Sequence, residues 1–242
     1  MPHQTKKMKG KLYLIPSPLG DYEPSRVLPD EVLRVLPRIG TFVVEEVRTA
    51  RRFLSAAGLK GHIGDLSFHT LNEHTTEAEV ESMSSLFDDG RDIGLISEAG
   101  LPAVADPGAR LVALCHRIGV EVVPLTGPSS LMLALMGSGL NGQKFAFKGY
   151  LPVKPDERKA ALKALEKRSS SENESQIFIE TPYRNDAMLS DILSVCQGPT
   201  RLTIAANLTT EDAFLRTKTV SEWKKDIPVI GKRPCVFILL AR

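Results

Sequence analysis

The apolar positions in the first half of the chain fall into short runs, each giving way to a helical pattern or to a turn rich in glycine and proline. Leu12-Tyr13-Leu14-Ile15, closed by Pro16-Ser17-Pro18-Leu19-Gly20, predicts a strand and then a loop. Thr41-Phe42-Val43-Val44 predicts a second strand, passing into a helix over 45–57. Ser67-Phe68-His69 predicts a third. After it, Thr75-Thr76-Glu77 with Val80, Met83 and Leu86 has the hydroxyl, acid and spacing of a capped helix. Ile93-Gly94-Leu95-Ile96 predicts a fourth strand, a loop through 97–108, and a helix carrying Leu111, Val112, Leu114 and Cys115; Val120-Glu121-Val122-Val123 predicts a fifth. Strands that are almost continuous apolar runs, alternating with helices, imply crossover connections and a parallel sheet buried on both faces. The fold class is therefore α/β, and the first half is a doubly wound domain.

The second half has a different rhythm. Strands are expected at 145–147, 176–180, 202–205, 215–220 and 236–240, with helices only over 155–168 and 184–196 and a polar surface loop over 169–175. Fewer helices between strands imply antiparallel pairing and a mixed sheet. The expected division is 1–124 for the N-terminal α/β domain and 125–242 for the C-terminal one. In open α/β sheets ligands sit beyond the carboxyl ends of the strands, and the loops at 16–20, 97–108 and 124–130 all follow strands of the first domain.

At 242 residues with 42% apolar and 25% charged positions, the chain has enough material for one large or two modest cores and is not of disordered composition. Its 31 basic and 29 acidic residues leave a net charge of +2, so any polyanion site must be a local patch. Cys115, Cys196 and Cys235 are an odd number, far apart and without C-x-x-C spacing, which fits small core residues in a reducing compartment. Five scattered histidines give no ligand spacing, so no metal is expected. No apolar run approaches the roughly 20 residues that span a bilayer, and no signal-peptide pattern opens the chain; the expected setting is cytoplasmic, without membrane contact.

Motif letters need their structural context. Gly137-Ser138-Gly139-Leu140-Asn141-Gly142 matches G-x-G-x-x-G, but it follows a helical run and precedes a strand, the reverse of a dinucleotide fingerprint. It reads as a helix C-terminal turn that uses glycine's access to positive φ. Lys144 comes one residue too late for a P-loop, and no G-x-S-x-G or H-E-x-x-H is present. Ser97-Glu98-Ala99-Gly100-Leu101-Pro102 with Asp106-Pro107-Gly108 is more informative, because small residues and prolines directly after a buried strand leave a wide, backbone-lined concavity. Thr126-Gly127-Pro128-Ser129-Ser130 stands before an apolar helix, where free backbone N–H groups hold a carboxylate or accept a plain N-cap.

Leu12 to Gly20, Glu45 to Leu54, Ser97 to Gly108, Pro124 to Ser130, Gly149-Tyr150-Leu151-Pro152 and Glu180-Thr181-Pro182-Tyr183-Arg184 occur in the order of one family. Over nearly its whole length the chain resembles the tetrapyrrole methylase superfamily of S-adenosylmethionine-dependent methyltransferases. It is most similar to the branch that methylates a cytidine ribose 2′-oxygen in small-subunit ribosomal RNA. The resemblance implies two α/β domains with the cofactor in the cleft between them, and a homodimer. By position it implies cofactor contacts at Pro18, Ser97, Ala99, Gly100, Pro102, Ala105, Asp106, Ser129 and Ser130. In the second domain the implied contacts are Tyr150, Leu151, Ala206, Asn207, Leu208, Pro234 and Cys235. The chain departs from that branch in two places. Val44-Glu45-Glu46-Val47-Arg48 stands where the branch has Ala-Glu-Asp-Thr-Arg, and Ala206-Asn207-Leu208-Thr209-Thr210 where it has Arg-Glu-Leu-Thr-Lys.

A sulfonium carries an already activated methyl group, so the protein's task is to hold a nucleophile about 3 Å from it, in line with the C–S bond. A ribose hydroxyl benefits from a positioned base, for which Glu46, Glu73 and His74 are the candidates, each equally able to be a solvated or salt-bridged residue. Arg48, Arg51 and Arg52 at i, i+3 and i+4 share a helix face, and Arg158 and Lys159 open a basic helix; both patches are candidate RNA contacts. Two alternatives stay open: methylation of a tetrapyrrole or other small molecule, and non-catalytic binding to RNA or the small ribosomal subunit.

Overall fold

The computed structural model describes residues 9–242, which form two compact units, the first ending at Ser129 and the second spanning Ser130–Arg242. Pro124, the expected boundary, is the last residue of a strand, and the observed division falls at the start of the helix that follows.

In the first unit, β1 (Leu12–Ile15), α1 (Asp30–Val35), β2 (Thr41–Val44), α2 (Val47–Leu54), β3 (Ser67–Thr70), α3 (Glu77–Ser82), β4 (Ile93–Ile96), α4 (Gly108–Ile118) and β5 (Val122–Pro124) alternate along the chain. The strands form one sheet in the order β3-β2-β4-β1-β5, every pair parallel. Side-chain alternation explains the apolar runs. Leu12, Val43, Ile93 and Leu95 pack with Val80, Met83, Leu111, Leu114 and Cys115 on one face, while Ile15, Phe42, Val44 and Ile96 pack with Val32, Leu36, Ala50 and Leu54 on the other. Gly94 is required in the middle of β4, because a Cβ there would lie 2.6 Å from the Phe42 ring and 2.7 Å from Ile15 Cδ1.

The capped helix is as expected: Thr76 Oγ1 accepts from Glu79 N–H at 3.3 Å and Glu79 accepts from Thr76 N–H at 2.7 Å. The helix expected over 45–57 is shorter. It starts only at Val47, after Glu46 has capped it, and gives way at Ser55 to a wide turn that ends through Gly58 at φ 105°. α1 is a further helix for which the chain pattern gave no expectation.

The second unit contains α5 (Ser130–Ser138), β6 (Phe145–Tyr150), α6 (Pro155–Glu172), β7 (Ser175–Glu180), α7 (Asn185–Val195), β8 (Arg201–Ala206), β9 (Phe214–Thr219), α8 (Val220–Trp223) and β10 (Cys235–Leu240). Its sheet runs β6-β7-β10-β8-β9, with β6 and β7 parallel and the remaining pairs antiparallel, so the mixed sheet holds. Val236 and Ile238 of β10 pack toward Leu131, Ala134 and Leu135 of α5, and Phe237 and Leu239 pack into the opposite core with Leu162, Leu189, Ile192 and Trp223. The Trp223 indole is satisfied by donating to Leu202 O at 2.9 Å. Gly139, at φ 66°, ends α5 as the helix-terminal reading of the glycine cluster requires.

The polar loop expected over 169–175 is a correction. α6 continues through Glu172, and Ser169 is fully buried because its hydroxyl donates to Glu174 O at 2.8 Å and accepts from Ala241 N at 2.9 Å. A serine with both roles filled is a core residue, which composition does not reveal. The three cysteines are free and buried, and burial pushes each thiol up to about 12, consistent with inert packing residues. Among the described residues, no helix is long and apolar enough to cross a membrane, and no group of His, Cys, Asp or Glu is placed to hold a metal ion.

Candidate functional site

Three loops of the first unit meet beyond the carboxyl ends of its strands. Past β1, Ser17 N donates to Gly100 O at 2.9 Å and Gly100 N returns a bond to Ser17 O at 3.1 Å, stitching the 16–20 loop to the 97–108 loop. Gly100 sits at φ 78°, where a Cβ would crowd Leu19 and Pro128 O at 3.1 and 3.3 Å. The loop after β5 closes on the first through Gly127, packed directly over Pro16.

The 97–108 loop holds two non-glycine residues in the left-handed region, Ala103 at φ 65° and Ala105 at φ 61°. Each such residue costs about 1–3 kcal/mol and persists only where its surroundings dictate it. Asp106 does so here, accepting from Ala103 N at 2.8 Å and Gly108 N at 2.6 Å. The expected cofactor residue Asp106 therefore shapes the loop with both oxygens. Pro102 and Ser97 are buried, and Ala99 and Ala105 are exposed.

Carboxylates concentrate at this rim. Glu98 N donates to Glu45 Oε1 at 3.3 Å. Burial pushes Glu45 above the usual carboxylate range, aided by the charges of Asp106 and Glu98. Burial likewise raises Glu98, with Glu46 adding repulsion and a Thr49 hydrogen bond opposing it, and raises Asp106 against its two backbone donors.

Beside these groups lies a pocket of about 210 Å³. Ser17, Pro18, Leu19, Gly20, Asp21, Tyr22 and Pro24 line one side, and Glu98 and Ala99 form a corner. Thr49, Arg52, Phe53 and Ala56 complete it; their i, i+3, i+4, i+7 spacing is the one signal by which the sequence could have revealed this wall. Of the expected cofactor residues, Pro18 and Ala99 lie here, with Glu98 of the same expected 97–102 loop, whereas Thr49, Tyr22 and Phe53 were not among the sequence candidates.

In the second unit the expected residues gather at one end of the sheet. Cys235 stands opposite Ala206 on one side and Glu180 on the other, and Asn207 N donates to Pro234 O at 3.0 Å. Leu151, Ala206 and Cys235 are buried in a single core cluster, while Tyr150 is 57% exposed. Asn207, at φ 48°, donates through Nδ2 to Asp212 at 2.7 Å, and Thr210 Oγ1 donates to Asn207 O at 2.7 Å, so the segment that departs from the family pattern is a self-bonded turn. Leu208 packs partly buried under the α5 face, and Ser130 is the first residue of α5. Glu180, at the same sheet end, accepts from Thr181 N at 2.6 Å and Arg184 Nε at 2.9 Å.

The candidate bases are placed apart from the pocket lining. Glu46 accepts from Arg48 N at 2.8 Å as the cap of α2. Glu73 and His74 are both 85% exposed and 3.5 Å from each other. The arginine face also divides: Arg51 lies 5.2 Å over the Phe68 ring, Arg52 lines the pocket, and Arg48 is exposed. Arg158 does not present its charge to solvent. Its side chain is 5% exposed, with Nε 2.7 Å from Asp191 Oδ2 and Nη1 donating to Val153 O at 2.8 Å; Lys159 lies more exposed, 3.5 Å from the same Asp191. A buried guanidinium paired on both sides is a structural group, which corrects its reading as an RNA contact.

Residues 11–223 match the family described as Tetrapyrrole (Corrin/Porphyrin) Methylases. A protein of Micromonospora olivasterospora named ribosomal RNA small subunit methyltransferase I is 37% identical over 208 residues, covering 86% of this chain and 62% of that protein. A protein of the same name from Thermotoga maritima is 32% identical over 224 residues, 91% of this chain and 95% of that one. The chain thus spans less than two thirds of the length of the Micromonospora relative and nearly all of the Thermotoga one. Among solved structures, the methyltransferase CobJ superposes with a TM-score of 0.63 at 16% identity, covering 96% of this chain and 94% of CobJ. Uroporphyrin-III C-methyl transferase from Thermus thermophilus, complexed with S-adenosyl homocysteine, gives 0.58 at 17%, covering 96% and 97%. At those identities they establish the fold, with its two five-stranded sheets. With a family match across 11–223 and a relative more than 30% identical along 95% of its own length, the chain belongs to the tetrapyrrole methylase family.

Proposed function

We propose that this chain is an S-adenosylmethionine-dependent methyltransferase whose acceptor is the RNA of the small ribosomal subunit. The observation that carries the reading is the alignment with relatives named for that activity, at 31–37% identity over about two hundred residues each. Support for the cofactor comes from the rim of the first unit. The Ala99–Ala105 loop has small residues at 99, 100, 103 and 105, with Ala103 and Ala105 at positive φ and Asp106 bracing it through Ala103 N and Gly108 N. The carboxylates of Glu45, Glu98 and Asp106 make the potential there negative, which suits a sulfonium cation.

When bound, S-adenosylmethionine supplies an activated methyl group that leaves a neutral thioether. The chain's residues would then orient acceptor and donor, with Pro18, Ser97, Ala99, Gly100, Pro102, Ala105, Ser129 and Ser130 taken as cofactor contacts and Asp106 as the brace of their loop. In the second unit Tyr150, Leu151, Ala206, Asn207, Leu208, Pro234 and Cys235 keep the same assignment. Glu98 replaces Glu46, Glu73 and His74 as the acid–base group, because it lines the pocket and is partly desolvated. Arg48, Arg51, Arg52 and Lys159 are the RNA contacts of this reading. It also takes the protein as a cytoplasmic homodimer, which sedimentation equilibrium would check.

The test is transfer of a radiolabelled methyl group from S-adenosylmethionine to small ribosomal subunits, with uroporphyrinogen III as the competing acceptor. Label in the RNA is the expected result. Label in the tetrapyrrole alone would overturn the substrate, and calorimetry showing no cofactor binding would overturn the enzyme.

A further inference from the structure

We propose that Asn185 and Asp186, the first two residues of α7, are positioning residues for the second unit's share of the cofactor site. Their side chains clamp the segment between α8 and β10 and thereby set Pro234, Cys235 and the Asn207 turn. The inference rests on the cofactor contacts proposed above and adds what places them.

Residues 224–234 join α8 to β10 without helix or strand, so their course depends on whatever side chains meet their backbone groups. Apolar burial anchors the segment at one point: Ile230 is buried, whereas Ile227 and Val229 are exposed. Polar bonds do the rest. Ile230 N donates to Asp186 Oδ1 at 2.8 Å, and Gly231 N reaches the two Asp186 oxygens at 3.3 and 3.2 Å. Asn185 Nδ2 donates to Gly231 O at 3.0 Å and to Arg233 O at 2.8 Å. Gly231, at φ 61°, turns the chain between these two side chains. The clamp has a firm base, because Met188, Leu189 and Ile192 of the same helix are buried in the core.

What the clamp holds leads straight to the expected cofactor residues. Arg233 O shares a peptide plane with Pro234 N, so a displacement of that carbonyl carries Pro234 with it. Pro234 O accepts from Asn207 N at 3.0 Å, and Cys235 stands opposite Ala206, so the displacement passes on to the neighbouring strand end. Asn185 is suited to this task by its amide donors. It is fully buried, and its Oδ1 has no hydrogen-bond partner among the described residues, so its two N–H groups are what it contributes. Arg233 stiffens the segment from within, donating to Ile230 O and Val229 O at 2.8 Å each.

The experiment is calorimetric titration of the full chain with S-adenosylmethionine at pH 8, with amide hydrogen exchange of the cofactor-free protein alongside. Asp186→Ala should speed exchange at Ile230 and Gly231 and weaken cofactor binding about tenfold, whereas Asp186→Asn, which keeps an acceptor oxygen, should stay within about twofold of the wild type. Asn185→Asp turns acceptors toward two carbonyls and should weaken binding at least tenfold. Ser169→Ala is the control: it disturbs the same unit at the opposite end of the sheet and should leave affinity unchanged. In methyl transfer to ribosomal subunits, Asp186→Ala should raise the KM for S-adenosylmethionine and leave kcat within about twofold. Far-UV circular dichroism verifies folding. Should either clamp variant not fold, Gly231→Ala, with open space around its Cβ but an unfavourable φ, displaces the segment by a second route and should weaken binding as well. A folded Asp186→Ala protein that binds like the wild type, an Asp186→Asn protein that loses as much as the alanine variant, or an equal loss in Ser169→Ala would overturn the proposal. A wild type that binds no S-adenosylmethionine overturns the enzymatic reading and this inference together, whereas a binding wild type with unaffected variants loses only the inference.

Discussion

Gly127 lies so close over Pro16 that a Cβ built on the glycine would sit 2.1 Å from the proline Cβ and 2.4 Å from its Cγ. This contact joins the loop after β5 to the loop after β1, and both ride on the β1–β5 pair at the sheet's edge, where Leu125 N donates to Leu14 O at 3.1 Å. Gly127→Ala must push the loops apart. Overpacking of this kind costs about 1–3 kcal/mol, so the urea midpoint should fall by a corresponding amount. The same variant should bind S-adenosylmethionine at least several-fold more weakly in calorimetry, whereas a destabilised protein with unchanged affinity would separate this contact from the cofactor site.

Ser169 offers a test confined to the second unit. Its hydroxyl links Glu174 O, at the entry to β7, with Ala241 N, just past the end of β10. Ser169→Ala leaves the buried Ala241 N–H unpaired and takes one of its two donors from Glu174 O, which Gln176 Nε2 still reaches at 3.2 Å; an unsatisfied buried donor costs about 1–3 kcal/mol. The adjacent Ser170→Ala, on an exposed position, should change stability by no more than about 0.5 kcal/mol. Equal urea midpoints for the two variants would refute the account of Ser169 as a core residue.

That serine also shows where the chain pattern stops being informative. The parallel sheet was legible because its inner strands β2 and β4 are buried, so Phe42-Val43-Val44 and Ile93-Gly94-Leu95-Ile96 are continuous apolar runs. The loop cluster was legible because prolines and glycines after strands have few alternatives. Ser169 and Arg158 were not, since both are polar residue types whose burial depends on a partner distant in sequence, Ala241 and Asp191 respectively. The pocket wall was hidden for a related reason: Thr49, Arg52, Phe53 and Ala56 mix polar and apolar letters, so their common face resembles neither a core stripe nor a charged one.

The Arg158–Asp191 pair should behave as a buried ion pair. Arg158→Ala strands Asp191 in a nearly dry setting, a change that typically costs about 3–5 kcal/mol. Replacing both partners, as in Arg158→Met with Asp191→Leu, should recover most of that loss, because no uncompensated charge remains. Lys159→Ala, which removes the more exposed of the two cations near Asp191, should be close to neutral in stability. A full double-mutant cycle by urea denaturation measures the coupling, and additive single losses would show that the pair is not coupled.

The carboxylates at the rim make stability depend on pH with a definite sign. Glu45 is raised above its ordinary value of 4.5 first by burial and then by the nearby charges of Asp106 and Glu98, with the Glu98 N–H bond opposing. A carboxyl whose folded-state pKa lies above its unfolded value binds its proton more readily when folded. Its favourable contribution is therefore complete below the unfolded value and is lost as pH rises through the raised folded one. Glu98 and Asp106 shift in the same direction, so all three leave the native state with strained charges at neutral pH. Glu45→Gln keeps an acceptor for Glu98 N–H and removes one of these charges. It should raise the urea midpoint at pH 7–8, and the gain should shrink as pH falls through the raised folded-state value, where the wild-type carboxyl takes up its own proton, and be gone below 4.5. If the family's sulfonium cofactor uses this negative potential, the same variant should bind S-adenosylmethionine more weakly at neutral pH while being the more stable protein. A variant that gains stability and keeps full affinity would show that the charge at Glu45 is strained but plays no part in holding the cofactor.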